Sequence, residues 1–138
     1  MEASDDGEYI FVGMSEAICI YDRVKEYVIY KYEKQHGDSN LYVTTPQFNC
    51  DKTLAFTTGK FAIGVDLTDG KEIFREESEG YCTASVLRKP ILFQNKKILY
   101  DKQEIGEYNN KLWTQVHLSP DASKALIIDG KLVNIFFL

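Results

Sequence analysis

Short runs of apolar residues alternate with polar ones along the whole chain, and small turn residues separate the runs. Tyr9 to Val12 follows the turn sequence Asp5-Asp6-Gly7, and Ala17 to Tyr21 follows a second small turn. The apolar residues are mostly aromatic or β-branched, which favours pleated strands over helices. The pattern therefore predicts an all-β chain.

The segment from Tyr21 to Gln35 admits a second interpretation as a helix. Four apolar residues recur there at helical spacing, namely Val24, Tyr27, Val28 and Tyr32. However, Ile29 and Tyr30 interrupt the polar face that such a helix would need, and the β-branched content is high. We therefore favour a strand in this segment.

A hairpin pattern recurs four times, with a tight turn before one strand and an Asp, or an Asn in the last copy, as the marker that ends the next strand. The markers are Asp22, Asp66, Asp101 and Asn134, at steps of 44, 35 and 33 residues. A repeat of about 40–45 residues is typical of the four-stranded blades of a β-propeller. The two short steps predict tight hairpins in the later repeats.

The repeats divide the chain into blade-like units at residues 5–33, 41–77, 81–109 and 112–138. Fourteen strands are predicted, with the first blade lacking its inner strand and the last lacking its outer strand. A four-stranded sheet has two faces, and stacking such sheets around an axis buries the faces between neighbours. We therefore predict one β-propeller segment of about four four-stranded antiparallel blades, with a plain β-sandwich as the alternative.

Several segments resemble the repeats of known propellers. Residues 65–74 resemble the strand-turn-strand pattern of WD-repeat and quinoprotein-like propellers, with Val65-Asp66 closing one strand and Phe74 in the next. Residues 118–121 resemble the Ser-Pro-Asp-Gly turn of WD repeats, although Ala122 replaces the Gly. The Trp-Asp and Gly-His dipeptides are absent. The resemblance covers nearly the whole chain and implies a divergent propeller of the WD-repeat type.

Four open blades would leave an apolar face at each end of the stack. Three arrangements follow from this: a segment of a longer propeller, a half-ring completed by another chain, or a closed four-bladed ring. The chain has 138 residues, of which 44% are hydrophobic, and a formal net charge of −5. This acidic balance disfavours nucleic acid or an anionic membrane as a partner, because both require clustered Lys and Arg.

The sequence offers no catalytic, cofactor or metal constellation. The histidines, His36 and His117, lie far apart, and no Gly-x-Ser-x-Gly or Cys-x-x-Cys pattern occurs. The cysteines are Cys19, Cys50 and Cys82, an odd number without close spacing, which indicates free thiols and an intracellular location. The acidic N-terminus has no apolar core, so we do not expect a signal peptide.

Binding residues are expected on the loops and strand ends of such a scaffold. The candidates for partner binding are Tyr42, Tyr81, Arg88 and Trp113, each near the start of an inner strand. Packing between blades is the alternative role for the aromatic side chains. The function expected is a non-catalytic protein–protein interaction scaffold within a larger protein or complex; the alternative is a propeller enzyme or sugar-binding module with a site at the central channel.

Overall fold

The computed structural model describes residues 1–14, 16–35, 46–49, 51–78, 84–86, 89–107, 114–119, 123–129 and 132–137. These residues form strands, turns and irregular segments, without a helix in the described ranges. The strands are β1 (Glu2–Ala3), β2 (Tyr9–Gly13), β3 (Ala17–Asp22), β4 (Tyr27–Glu33), β5 (Gln47–Phe48), β6 (Thr53–Thr57), β7 (Phe61–Asp66), β8 (Glu72–Glu77), β9 (Ala84–Val86), β10 (Lys89–Gln94), β11 (Lys97–Tyr100), β12 (Gln103–Glu107), β13 (Thr114–Leu118), β14 (Lys124–Asp129) and β15 (Leu132–Phe137).

The strands form four antiparallel sheets in chain order, which we call blades 1 to 4. Their strand orders are β1-β2-β3-β4, β5-β6-β7-β8, β9-β10-β11-β12 and β13-β14-β15. Within a blade, each strand after the first pairs with the one before it, so each blade is a simple antiparallel meander. This is the all-β architecture predicted from the repeat, and β4 shows that the strand interpretation of residues 21–35 was the correct one.

Two details of the repeat differ from the prediction. The first blade does have an inner strand, since Glu2 and Ala3 of β1 pair with Phe11 and Ile10 of β2. The expectation that this strand is missing was wrong. Two residues are too few to show an alternation of apolar and polar positions in the sequence, and only their backbone pairing with β2 defines the strand. Asn134 also differs from the other markers: it lies in the middle of β15, which continues to Phe137.

The tight hairpins expected in the later repeats are present in blade 3. Gln94 pairs with Lys97, so a two-residue loop of Asn95 and Lys96 joins β10 to β11, and both loop residues have positive φ, at 49° and 65°. The next loop has the same form, with Asp101 at 49° and Lys102 at 66°. Two positive φ angles are the geometry of a type I′ turn, whose twist matches that of the paired strands.

Neighbouring blades pack face to face and share two apolar clusters. The first cluster joins blades 1 and 2, where the Phe56 ring lies at the centre, 5.4 Å from Phe11 and 6.1 Å from Tyr30 between ring centroids. The second cluster joins blades 3 and 4 through buried residues that include Phe93 and Ile127. Each blade thus covers one apolar face of its neighbour, which is the stacking that a propeller requires.

Blades 2 and 3 meet through smaller side chains and backbone contacts. All five residues of β6 are buried, so both of its faces are covered: Leu54 and Phe56 face blade 1, and the alternate positions lie on the opposite face. The Phe93 N–H donates a buried hydrogen bond of 2.9 Å to Ser78 Oγ at the end of β8. Blade 2 is therefore enclosed on both sides.

Candidate functional site

The four residues predicted to bind a partner, Tyr42, Tyr81, Arg88 and Trp113, lie outside the described residues. They therefore stay predictions. Cys50, Cys82 and His36 also lie outside the described residues, whereas Cys19 is a partly buried free cysteine and His117 is exposed on β13. In the described residues, the exposed apolar surface lies instead on the two end blades, where the sequence predicts only that an open stack has an apolar face at each end.

Exposed large apolar residues are confined to the two end blades in the described part of the chain. Blade 1 and its turns hold Met1, Met14, Val24, Tyr27 and Val28, and blade 4 holds Val133, Ile135 and Phe137. None of this kind lies in the described residues of blades 2 and 3. Because the middle blades are covered on both sides, the difference follows from the position of a blade in the stack.

The outer face of blade 1 is an apolar sheet surface. Ile10 pairs with Tyr21, and Val12 pairs with Cys19, so these side chains lie on one face of β2 and β3. They alternate with the residues that pack against blade 2 and therefore point away from it. Val28 of β4 extends this surface beside Tyr21 and is half exposed. We call these five residues the blade 1 outer face.

The outer face of blade 4 is more exposed. Its third strand, β15, presents Val133, Ile135 and Phe137, whose exposed fractions are 60%, 62% and 80%. Ile135 pairs with Leu126, and Val133 pairs with Ile128, which extends the apolar surface onto β14. These five residues form the blade 4 outer face. They alternate with the residues of β14 and β15 that pack against blade 3.

A polar network at the outer rim holds blades 1 and 2 together. The Tyr30 hydroxyl on β4 donates a hydrogen bond of 2.7 Å to Glu72 Oε1 on β8, and Arg75 Nε donates one of 3.1 Å to Glu72 Oε2. The Arg75 guanidinium also lies over the Tyr32 ring, 5.2 Å from its centroid. These contacts link the outer strands of two neighbouring blades.

The network shifts the ionisation of its members. Burial raises the pKa of Tyr30, and the hydrogen bond to Glu72 raises it further. Burial also acts to raise the pKa of Glu72, but hydrogen bonds from Arg75 and Tyr30, together with the Arg75 charge, lower it by more. The Glu72 carboxylate is thus held ionised between two donors, which suits a structural link between the blades.

The marker aspartates of the first two blades act on their own turns. Asp22 is fully buried, and its Oδ1 accepts hydrogen bonds from the N–H groups of Val24 and Lys25, at 2.9 and 3.0 Å. Asp66 Oδ1 likewise accepts from the N–H of Thr68 at 2.9 Å. In these two blades the carboxylate of the Asp at the end of the third strand thus fixes the following turn.

In the described ranges no group of three or more His, Cys, Asp or Glu side chains is placed to hold a metal ion. The same residues include no helix with the length and apolar character needed to cross a membrane.

No protein-family model and no curated protein sequence matches the chain. Solved structures do. The β-propeller domain of Cps50 (Swd1) from Myceliophteria thermophila is 15% identical, with a TM-score of 0.66 over 99% of this chain and 50% of that one. The C-terminal WD40 domain of Sif2 is 14% identical, with a TM-score of 0.60 over 99% of this chain and 45% of that one.

A third solved structure is BamB from Moraxella catarrhalis, at 13% identity and a TM-score of 0.62 over 98% of this chain and 46% of that one. The chain thus spans about half the length of the structures that it matches. Likeness at this identity shows the fold. The chain is a four-bladed segment of β-propeller fold, similar to WD40 domains and to the BamB propeller.

Proposed function

We propose that the chain is a non-catalytic protein–protein interaction scaffold that works within a larger protein or complex, inside the cell. The observation that carries the proposal is that, among the residues the structure describes, the exposed large apolar side chains all lie on the two end blades. Apolar surface of this kind is favourable to bury, and on soluble proteins it marks sites where another protein binds.

The comparison with solved propellers supports the same function. Those structures are about twice as long as the chain, and nearly the whole of the chain superposes on a part of them. In a longer propeller the outer faces of blades 1 and 4 would each meet a further blade. We propose that protein surface covers both faces, either as blades of a longer polypeptide or as another chain that completes a half-ring.

The scaffold is tested by comparing captured proteins between matched baits. The wild-type chain, the double variant Val28→Glu/Ile135→Glu and the control Lys60→Glu are each immobilised and exposed to the same lysate. Both sites of the double variant lie on exposed positions of the end blades, whereas Lys60 is exposed in the β6–β7 turn of the enclosed blade 2.

We expect a defined set of proteins on the wild-type and Lys60→Glu baits that the double variant loses by at least tenfold, because each buried carboxylate would oppose docking. The same set on all three baits would contradict the proposal. So would an absence of captured protein together with turnover of a small substrate by the purified chain.

A further inference from the structure

Two neighbouring turns at one end of blade 1 carry opposite charges. The β1–β2 turn, residues 4–8, is acidic, and the β3–β4 turn, residues 23–26, has a net positive charge. Backbone contact keeps the two turns side by side, because the Arg23 N–H donates a hydrogen bond of 2.8 Å to the carbonyl oxygen of Glu8. This end of blade 1 is thus divided into an acidic half and a basic half.

The charges on both halves are open to solvent. Asp5, Arg23 and Lys25 are exposed, and none of them forms an ion pair with another residue that the structure describes. The Arg23 guanidinium donates instead to the carbonyl oxygen of Gly7, at 3.2 Å. Glu26 is the single acid of the basic turn. The side chains of Asp5 and Lys25 can therefore pair with charges of another molecule.

Two exposed apolar side chains lie beside the basic charges. Val24 is 73% exposed and Tyr27 is 50% exposed. Counting from the aspartate that fixes each turn, Val24 matches Thr68 of blade 2, and Tyr27 matches Lys71. Blade 2 is covered on both faces, yet Thr68 and Lys71 are exposed. These positions therefore face solvent at the end of a blade whether or not its faces are covered.

The matching turns of blade 2 show no such division of charge. The β5–β6 turn holds Asp51 next to Lys52, so that its charges cancel. The β7–β8 turn holds Asp69 in the place of Lys25. Opposite charges on adjacent turns, with apolar side chains among them, thus distinguish the end of blade 1 from that of blade 2.

We propose that this end of blade 1 pairs with the same end of a second copy of the chain, through a two-fold axis that passes between the two turns. The axis places the acidic turn of each copy against the basic turn of the other, and it brings Val24 and Tyr27 into contact with the second copy. A wholly acidic or wholly basic partner would match one turn and be repelled by the other.

The charges and the apolar side chains have different roles in this dimer. Exposed ion pairs contribute little affinity, so the charges fix the orientation, and burial of Val24 and Tyr27 favours association. The formal net charge of −5 opposes the approach of two copies in other orientations. Two turns are a small surface, so we expect a transient dimer.

The test measures sedimentation of the purified chain at concentrations up to about 1 mM. We expect a monomer–dimer equilibrium. Lys25→Glu and Asp5→Lys should each raise the dissociation constant by about tenfold or more, because each places like charges opposite one another. The double variant Asp5→Lys/Lys25→Glu exchanges the two charges and should recover most of the lost affinity.

Two further variants serve as matched comparisons. Asp69→Lys reverses a charge at the matching position of blade 2 and should leave the dissociation constant unchanged. Val24→Thr introduces the residue of the blade 2 turn and should weaken the dimer without a change of charge. The substituted side chains are all exposed, and circular dichroism checks that each variant is folded.

Ile135→Glu separates this dimer from association through the exposed face of blade 4. It should leave the dimer intact, and loss of the dimer would assign association to that face and overturn the proposal. A chain that stays monomeric at every concentration overturns it too, as does a double variant no better than the single ones. The scaffold function is tested separately, since monomeric Lys25→Glu should still capture the proteins that the wild-type bait captures.

Discussion

Strands β7 and β15 are each the third strand of their blade, but β7 is largely buried and β15 is largely exposed. In β7, Phe61–Asp66, the four central residues are buried, and the two end residues are partly buried. In β15, Leu132–Phe137, Val133, Asn134, Ile135 and Phe137 are exposed. Yet β15 is the more apolar strand. Five of its six residues are apolar, whereas β7 has four apolar residues if Gly64 is not counted.

The difference shows that the burial of a strand in a stacked-blade fold depends on the neighbouring strands and blades that cover it, and not on the hydrophobicity of the strand itself. β7 has β6 and β8 on its two sides, blade 1 on one face and blade 3 on the other. Within the described residues, β15 pairs with β14 alone, and one of its faces packs against blade 3. An apolar strand without cover is a surface that gains free energy when a further strand or blade is added.

The largest expected effect comes from truncating the same residue type on the two strands. Ile63 of β7 is fully buried, so Ile63→Ala should lower the free energy of unfolding by about 2–5 kcal/mol through lost burial and a cavity. Ile135→Ala on β15 should cost less than about 1 kcal/mol, because that side chain is already in water. Urea unfolding followed by circular dichroism measures both, and equal losses would refute the comparison.

A second effect concerns the contact of blade 2 with its neighbour. Gly70 has a φ of 72°, and a Cβ there would overlap the carbonyl oxygen of Ile29 in blade 1. Gly70→Ala should therefore cost about 1–2 kcal/mol for the left-handed backbone and about 1–3 kcal/mol for the overlap.

Gly7 provides the control for Gly70→Ala. It has a φ of 70°, but its added Cβ would meet only the Arg23 side chain, 3.5 Å away. Gly7→Ala should therefore lower the free energy of unfolding only by the cost of the left-handed backbone conformation. Thermal unfolding of the two variants separates the two costs, and the same shift in Tm for both would mean that the blade contact contributes nothing.

The smallest effect is expected at the polar rim between blades 1 and 2. Tyr30→Phe removes the hydrogen bond to Glu72 and should lower the free energy of unfolding by about 1 kcal/mol. Tyr27→Phe on the same strand, where the side chain is half exposed, should be nearly neutral. A loss at Tyr27 as large as that at Tyr30 would show that the bond to Glu72 is not responsible.

The same rim predicts a pH dependence. The pKa of Glu72 is lower in the folded chain than its usual 4.5, so its contribution to stability is present above that value and is lost as the pH falls through the folded pKa. The stability difference between wild type and Glu72→Gln should therefore shrink below about pH 4.5. A difference that stays constant from pH 7 to pH 3 would contradict this role.

Much of the fold could be predicted from local patterns. The alternation of Tyr9 to Val12 and the turn at Asp22 are local features, and both appear where expected because side-chain alternation and Asp-fixed turns act within a few residues. The missed strand β1 has only two residues, too few to show a pattern, and long-range pairing alone defines it. The four predicted binding residues lie outside the described ranges and await test.

By itself the sequence determined the all-β class, the repeated hairpins and their tight turns, because these follow from periodicity and backbone preference along short stretches. Only the tertiary structure decided which apolar strands are buried and which are exposed to solvent. The residues of β7 and β15 look alike along the chain, and burial depends on what another part of the molecule places beside them. In the described residues, that placement leaves the outer faces of the two end blades exposed.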